Sequence, residues 1–121
     1  MWKRANPNPC RAEEPDCVVR AIAIATGQEW DDVHYALCEM SRSYCTMPSV
    51  NWLWGLYLEQ NGFAKHMVRE PVTVQEFSKE IRDGSCVACT GTHAVAIRNG
   101  NYLDAWDSGD EMVSFYYWRR K

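Results

Sequence analysis

The sequence lacks the features that would mark a membrane, exported or nucleic-acid-binding protein. No stretch approaches the roughly 18 apolar residues of a membrane-spanning helix, and the first residues contain no apolar signal-peptide core. Basic residues do not exceed acidic ones, since 13 Lys and Arg stand against 16 Asp and Glu, for a net charge of -3. These absences predict a cytoplasmic protein that binds neither a membrane nor nucleic acid.

Histidine is scarce, whereas cysteine is not. Only three histidines can serve as a base, and two of them, His34 and His66, have no matching partner in the sequence. Six cysteines would suit a disulfide framework in a small secreted domain, but without an export signal reduced thiols are expected. A chain of 121 residues predicts one domain, residues 1–121.

Hydrophobic periodicity divides the chain into an irregular arm (1–15), a helical part (16–62) and a mainly antiparallel sheet with one short helix (63–121). Helices are predicted at 17–26, from 30 or 31 to about 44, from 48 or 49 to 61–62, and from 73 to 83–84. Strands are predicted at 63–69, 85–90, 93–98, 102–106 and 112–118, with a type I′ hairpin turn at 99–100. Helices followed by an antiparallel sheet indicate an α+β fold.

Cys17 lies where the arm turns into the first helix. Pro15 stops any earlier helix, Asp16 can cap the next one, and the residues after Cys17 are apolar enough for a buried helix. A thiol in the first turn of a helix meets unpaired backbone N–H groups and the positive end of the helix dipole. Both favour thiolate over thiol, so Cys17 is a candidate nucleophile.

His93 opens the strand before the hairpin, and two aspartates follow the turn. Counting back from the Asn99-Gly100 turn places His93 near Trp106 on the partner strand. A small slip or a bulge would bring Asp104 or Asp107 beside it. Either carboxylate could accept a hydrogen bond from one imidazole nitrogen while the other nitrogen faces a helix N-terminus, which is the arrangement that activates a thiol.

These residues resemble the nucleophile, base and orienting group of papain-like cysteine hydrolases in the broad sense, which include the double-glycine leader peptidases of bacteriocin exporters. In those families cysteine starts a buried helix, histidine starts a strand, and Asn or Asp comes from the next strand; Cys17, His93 and Asp104 occur in that order. Asp104-Ala105-Trp106 also resembles the Asn-Ser-Trp element of papain-type enzymes, in which tryptophan shields the polar pair from water. The resemblance favours Asp104 over Asp107.

A closer resemblance is to a group of small uncharacterised bacterial and phage proteins near that superfamily. It is carried by Asp-Cys-Val-x-Arg-Ala, Gly-x-His-x-Val-Ala and Tyr-x-Asp-x-Trp-Asp-Ser-Gly-Asp, and it spans residues 16–118. The resemblance implies a papain-like fold and a Cys-His-Asp triad. It further implies a peptidase or amidase that acts on a peptide or protein through a thioester acyl-enzyme, with no cofactor and no metal.

The sequence departs from the papain-type pattern in two places. Papain-type enzymes place an oxyanion-hole glutamine six residues before the cysteine, where this chain has Arg11. The donors would then be the backbone N–H of Cys17 with the side chain of Asn8, Asn6 or Arg11. The cysteine and histidine are only 76 residues apart, against roughly 130 in papain-type enzymes, which implies shortened substrate-binding walls.

Two other functions compete with a hydrolase. Cys86, Cys89 and His93, with Cys38 or Cys45, could be zinc ligands, but a single Cys-x-x-Cys in a strand directs its thiols to opposite faces. The other alternative is a catalytically inactive binding protein on the same scaffold, such as a phage factor that engages a host protein.

Arg20 is one helical turn after Cys17. It is expected to pair with Asp16 or Glu14, and so to hold the start of the helix.

Overall fold

A computed structural model describes residues 1–11 and 14–120, and over these ranges the chain is an α+β structure, as predicted. The described helices are α1 (Cys17–Thr26), α2 (Trp30–Ser43), α3 (Asn51–Gln60) and α4 (Val74–Ser78). The described strands are β1 (Trp2–Arg4), β2 (Ala64–Met67), β3 (Ser85–Cys89), β4 (Ala94–Arg98), β5 (Asn101–Asp104) and β6 (Phe115–Arg119).

The six strands form one sheet in the order β1-β5-β4-β3-β6-β2. Neighbouring strands are antiparallel except for β1, which pairs parallel to β5 with Arg4 opposite Asp104. Two predictions were therefore wrong: the arm is not irregular throughout, and the sheet is mixed. The paired segment is only three residues long and lies on the sheet edge.

The β4–β5 hairpin has the predicted turn. Asn99 and Gly100 both have positive φ, 53° and 79°, as a type I′ turn requires, and Arg98 pairs with Asn101. β5 ends at Asp104 rather than continuing to Trp106, because the chain bends away after Asp104. The hairpin thus places Asp104 at the end of a strand, beside the start of β4.

The sheet has a hydrophobic core on each face. One core packs α1, α2 and α3 on residues such as Val87 and Ala96. The second core packs α4 on residues such as Val95 and Ile97. These two residues flank Ala96 in β4, so their side chains point to the opposite face of the sheet. α1 is buried nearly all round, with Ile22 fully buried, so the helix that begins at Cys17 is held firmly against the sheet.

Several element ends differ from the predicted ones. The capping box of Thr73 and Glu76 is present, but α4 ends at Ser78, well before the predicted end at 83–84. The N–H groups of Glu80 and Ile81 bond to carbonyls three residues back, so the chain continues as tight turns. α3 begins at Asn51 rather than at 48 or 49, and the strands after β2 start or stop within a few residues of their predicted ends.

Among residues 1–11 and 14–120, none of the helices combines the length and the apolar character needed to cross a bilayer.

Candidate functional site

Cys17 is the first residue of α1 and lines a cleft of about 980 Å³. The walls of the cleft come from the start of α1, from the α2–α3 connection around Pro48, and from the β3–β4 loop at Gly91. Cys17 is half-buried, so its thiol is open to the cleft while its backbone belongs to the core helix.

Asp16 does not cap α1, which corrects the sequence-based expectation. Its side chain makes no capping hydrogen bond. Its carboxylate instead accepts hydrogen bonds from Asn8 Nδ2 (3.1 Å), Trp30 Nε1 (2.9 Å) and the Arg20 guanidinium. Because those donors occupy the carboxylate, the backbone N–H groups at the start of α1 remain available to the thiol and to the cleft.

His93 and Asp104 are hydrogen-bonded, as predicted. His93 Nε2 lies 2.5 Å from Asp104 Oδ2, and both side chains are buried. Neither a slip nor a bulge is needed. The hairpin pairs Ala96 with Leu103, so Asp104, the last residue of β5, lies beside the start of β4. His93 immediately precedes β4, and its imidazole is therefore within reach of the Asp104 carboxylate.

Cys17 and His93 both line the cleft, and each of these two side chains affects the pKa of the other. Since Nε2 is committed to Asp104, Nδ1 is the nitrogen left for the thiol. Burial raises the pKa of Cys17, but hydrogen bonds with His93 and with the backbone of Ala94, together with the charges of His93 and Arg20, lower it overall. The site therefore favours a thiolate at Cys17.

The pKa of His93 is raised to about 9. Burial of the ring acts in the opposite direction, but hydrogen bonds and charge interactions with Asp104 and Cys17 outweigh it. A thiolate and an imidazolium stabilise each other, so the two groups titrate as a pair. Both shifts favour the charged forms of the pair, which are the Cys17 thiolate and the His93 imidazolium.

Asp104 accepts four hydrogen bonds or charged contacts from different parts of the chain. Oδ2 accepts from His93 Nε2 and from Ser108 Oγ (2.7 Å), and Oδ1 accepts from the Ala105 N–H (2.8 Å) and faces Arg20 Nη2 at 3.5 Å. A carboxylate whose acceptor positions are all occupied is held in one orientation, and it acts only as an acceptor. Nε2 of His93 must then be the donor, which fixes the neutral tautomer with Nδ1 free to accept the thiol proton.

Ser108 and the contact between Arg20 and Asp104 were not predicted from the sequence. Ser108 lies four residues after Asp104 in the turn that follows β5, and its side chain is buried. A serine in the Asp-Ser-Gly turn so close to the orienting aspartate was the available signal. The predicted pairing of Arg20 with Asp16 is present, whereas Glu14 contributes its backbone carbonyl at 3.3 Å rather than its carboxylate.

Trp106 packs against His93 and Arg20. Its ring stacks on the His93 imidazole with centroids 4.8 Å apart and planes 27° apart. The Arg20 guanidinium carbon lies 5.1 Å from the centroid of the same ring. Trp106 is itself 47% exposed, so it forms the solvent side of the site rather than part of the core.

Asp107 and Arg11, two of the support residues suggested by the sequence, lie away from the site. Asp107 is exposed and accepts hydrogen bonds from Tyr102 Oη (2.6 Å) and the Gly109 N–H (3.0 Å). It stabilises the turn instead of facing His93. Arg11 is exposed, with a φ of 51°, and is not one of the residues that line the cleft.

Asn8 does line the cleft and is buried. Its Oδ1 accepts from the Cys10 N–H at 2.9 Å, and its Nδ2 donates to Asp16 Oδ2 at 3.1 Å, which together fix the orientation of the amide. Nδ2 carries a second hydrogen that this bond does not use. Asn6 accepts a hydrogen bond from the Asn8 backbone N–H (3.2 Å) and so supports the loop.

The two thiols of Cys86 and Cys89 lie on opposite faces of the sheet, as predicted. Cys86 belongs to the core beneath α4, and Cys89 to the core beneath α1. Burial raises the pKa of Cys89 to about 12, which keeps this neighbour of Cys17 a thiol. Within the described ranges, no group of three or more Cys, His, Asp or Glu side chains is arranged to hold a metal ion.

The rest of the cleft is apolar and acidic. No lysine or arginine is among its lining residues in the described part of the chain, whereas Glu14, Asp16 and Glu111 are. Its apolar wall is large and aromatic, and consists of Val18, Val19, Trp30, Leu37, Trp54 and Phe115.

Comparisons with protein-family models, with curated proteins and with solved structures find no match for this chain. Any assignment of function therefore depends on the chemistry of the cleft itself.

Proposed function

We propose that the protein is a small cysteine hydrolase, a peptidase or amidase on a papain-like fold. The observation that supports this most strongly is the hydrogen bond of 2.5 Å between His93 and Asp104, together with the position of Cys17 in the lining of the same open cleft as His93. These side chains supply the candidate nucleophile, base and orienting group of an acyl-transfer reaction.

In the first half of the reaction, the Cys17 thiolate attacks the carbonyl carbon of an amide. The negative oxygen that forms would be bound by the Cys17 backbone N–H and by the unused hydrogen of Asn8 Nδ2. His93 then gives its Nδ1 proton to the departing nitrogen. The C–N bond breaks, an amine leaves, and a thioester to Cys17 remains.

In the second half, neutral His93 accepts a proton from water, and the resulting hydroxide attacks the thioester. Collapse of the intermediate releases a carboxylic acid and restores the Cys17 thiolate and the His93 imidazolium. Asp104 stays ionised throughout, since its role is to hold the tautomer and to stabilise the imidazolium. An amine in place of water would turn the same site into an acyltransferase.

A catalytically inactive binding protein on the same scaffold is the competing proposal. Large apolar side chains beside the cleft favour it: Tyr44 (52%), Met47 (65%) and Trp52 (53%) are exposed in and around the α2–α3 connection. Exposed aromatic side chains of this kind occur at protein-binding surfaces. They are equally useful to an enzyme that binds a protein substrate, so turnover is the property that separates the two proposals.

Turnover of para-nitrophenyl acetate by the full chain tests the hydrolase. We expect a burst of para-nitrophenol close to one per chain, then steady release, with an acetyl adduct on Cys17 in mass spectra of quenched samples. Cys17→Ala should abolish the burst and His93→Ala should abolish steady release. Acetylation without turnover, or turnover that survives both substitutions, would contradict the proposal.

A further inference from the structure

Arg20 is a buried cation between two carboxylates. It is carried by α1 one turn after Cys17 and is only 3% exposed. Nη1 contacts the Asp16 carboxylate, Nη2 lies 3.5 Å from Asp104 Oδ1, and the ring of Trp106 covers the guanidinium. A single side chain thus joins the residue before the nucleophile to the residue that orients the base.

Stability does not explain an arginine at this position. Its Nε is buried without a hydrogen-bond partner among the described residues. A desolvated guanidinium with an unpaired N–H is costly, and replacing a buried ion pair by well-packed apolar residues is often neutral or stabilising. The surrounding helix is otherwise apolar, with Val19, Ala21 and Ile22 buried. A functional reason for Arg20 is therefore the better explanation.

The charges alternate along a line of contacts that runs from Asp16 to Arg20, Asp104, His93 and Cys17. We propose that Arg20 is a positioning residue: by joining Asp16 to Asp104 it aims the Asp104 carboxylate at His93 and sets the pH range in which the Cys17 thiolate and the His93 imidazolium coexist. This inference rests on the proposed hydrolase function. It adds Arg20 and Asp16 to the residues that determine activity.

The direction of each effect follows from the signs of the charges. Without the Arg20 cation, the negative charge of Asp104 acts more strongly on His93, and Cys17 loses a cation that favours its thiolate. The pKa values of both groups should then rise. Without the Asp16 anion, the Arg20 charge is no longer balanced, so both pKa values should fall.

Other titratable groups also face the cleft. They are Glu14 before α1, His34 on α2, Cys89 on β3, and Glu111 on the loop before β6. Substitutions at Arg20 and Asp16 leave all of these groups in place. Opposite shifts in the two variants therefore isolate the contribution of the line of charges.

The experiment is the pH dependence of iodoacetamide alkylation at Cys17, resolved by mass spectrometry, in the wild type, Arg20→Gln and Asp16→Asn. We expect the profile of Arg20→Gln to move to higher pH by on the order of one unit and that of Asp16→Asn to move lower. The titration of the His93 ring, followed by NMR, should move in the same directions. Profiles that do not move, or that move together, would overturn the inference.

Arg20→Gln can fail to fold, because it leaves Asp16 and Asp104 without their cation. Circular dichroism identifies that outcome, and the test then depends on Asp16→Asn. An alkylation profile of this variant at lower pH than that of the wild type supports the role of Arg20, and an unchanged profile refutes it. The proposed function fails separately, if wild-type Cys17 titrates like a free cysteine. If the Cys17 pKa is lowered in the wild type and the variants do not differ from the wild type, only the role of Arg20 is refuted.

Discussion

At the scale of single residues, the site depends on how completely the Asp104 carboxylate is occupied. His93 and Ser108 share Oδ2, while the Ala105 N–H and Arg20 share Oδ1. An aspartate hydrogen-bonded in this way cannot rotate towards another partner without leaving a buried donor unpaired. The rigid carboxylate is what selects the His93 tautomer, and the tautomer is what directs a nitrogen at Cys17.

The raised pKa of His93 predicts the alkaline limit of the proposed amide hydrolysis. Its imidazolium is present below a pKa of about 9 and is lost as the pH rises through that value, so kcat/KM for a peptide para-nitroanilide should fall there. The matched para-nitrophenyl ester is the control, because its leaving group needs no proton. If kcat/KM for the anilide falls near the ordinary histidine value instead, Asp104 and Cys17 do not stabilise the imidazolium.

Asn8 provides a test of the proposed oxyanion site. Asn8→Ala should lower kcat for a para-nitroanilide by roughly 10²- to 10³-fold, as expected for loss of one donor to the negative oxygen. Alkylation of Cys17 by iodoacetamide forms no such oxygen, so its rate should stay close to that of the wild type. A variant in which both rates fall together would show that Asn8 supports the structure instead of the oxyanion.

At the scale of secondary-structure elements, β1 holds the far side of Asp104. The Asp104 carbonyl accepts from Trp2 Nε1 (3.2 Å) and from the Ala5 N–H (2.9 Å), and Arg4 pairs with Asp104 in the parallel ladder. The first residues of the chain therefore fix the backbone that carries the orienting carboxylate.

Trp2→Ala should lower the free energy of unfolding by about 2 kcal/mol, from lost apolar burial and one hydrogen bond, and should also lower kcat. Urea unfolding and hydrolysis of a para-nitroanilide measure the two effects. Lys3→Ala, an exposed residue on the same strand, is the matched control and should change neither. Equal behaviour of the two variants would mean that β1 does not support Asp104.

The start of β3 is packed too closely for any side chain at Gly84. A Cβ there would lie 2.3 Å from the Arg119 carbonyl oxygen, and the residue has a φ of +78°. Gly27, which follows α1, has nearly the same φ of +76° with nothing within 4 Å of its Cβ position. Both substitutions to alanine strain the backbone, but only Gly84→Ala adds a clash. In urea unfolding, we expect Gly84→Ala to lower the free energy of unfolding by about 1–3 kcal/mol more than Gly27→Ala does. Equal losses in the two variants would contradict this packing.

At the scale of the whole molecule, local signals predicted much of the fold and of the site. Apolar periodicity gave α1, the Asn99-Gly100 turn gave the hairpin register, and that register brought His93 near Asp104. The parallel strand β1 was not predicted, because three residues in a proline-containing arm carry no period and pair with a strand about one hundred residues away.

The wrong role for Asp16 has a different physical cause. Its position before α1 is ideal for a cap, but a local rule does not include the buried Arg20 and the indole of Trp30, which compete for the same carboxylate. Ser108 was missed for a related reason, since its partner Asp104 is reached only after the turn has folded. Tertiary contacts of this kind determine the site yet leave little trace in sequence spacing.

The most direct test of the thiolate–imidazolium pair is the iodoacetamide labelling rate of Cys17 at about pH 6, compared within the same molecule with the exposed Cys45. We expect Cys17 to react at least about tenfold faster than Cys45, and we expect His93→Ala to remove this difference while the labelling of Cys45 stays the same. Equal labelling rates of Cys17 and Cys45 in the wild type, with no change in His93→Ala, would contradict the thiolate–imidazolium pair.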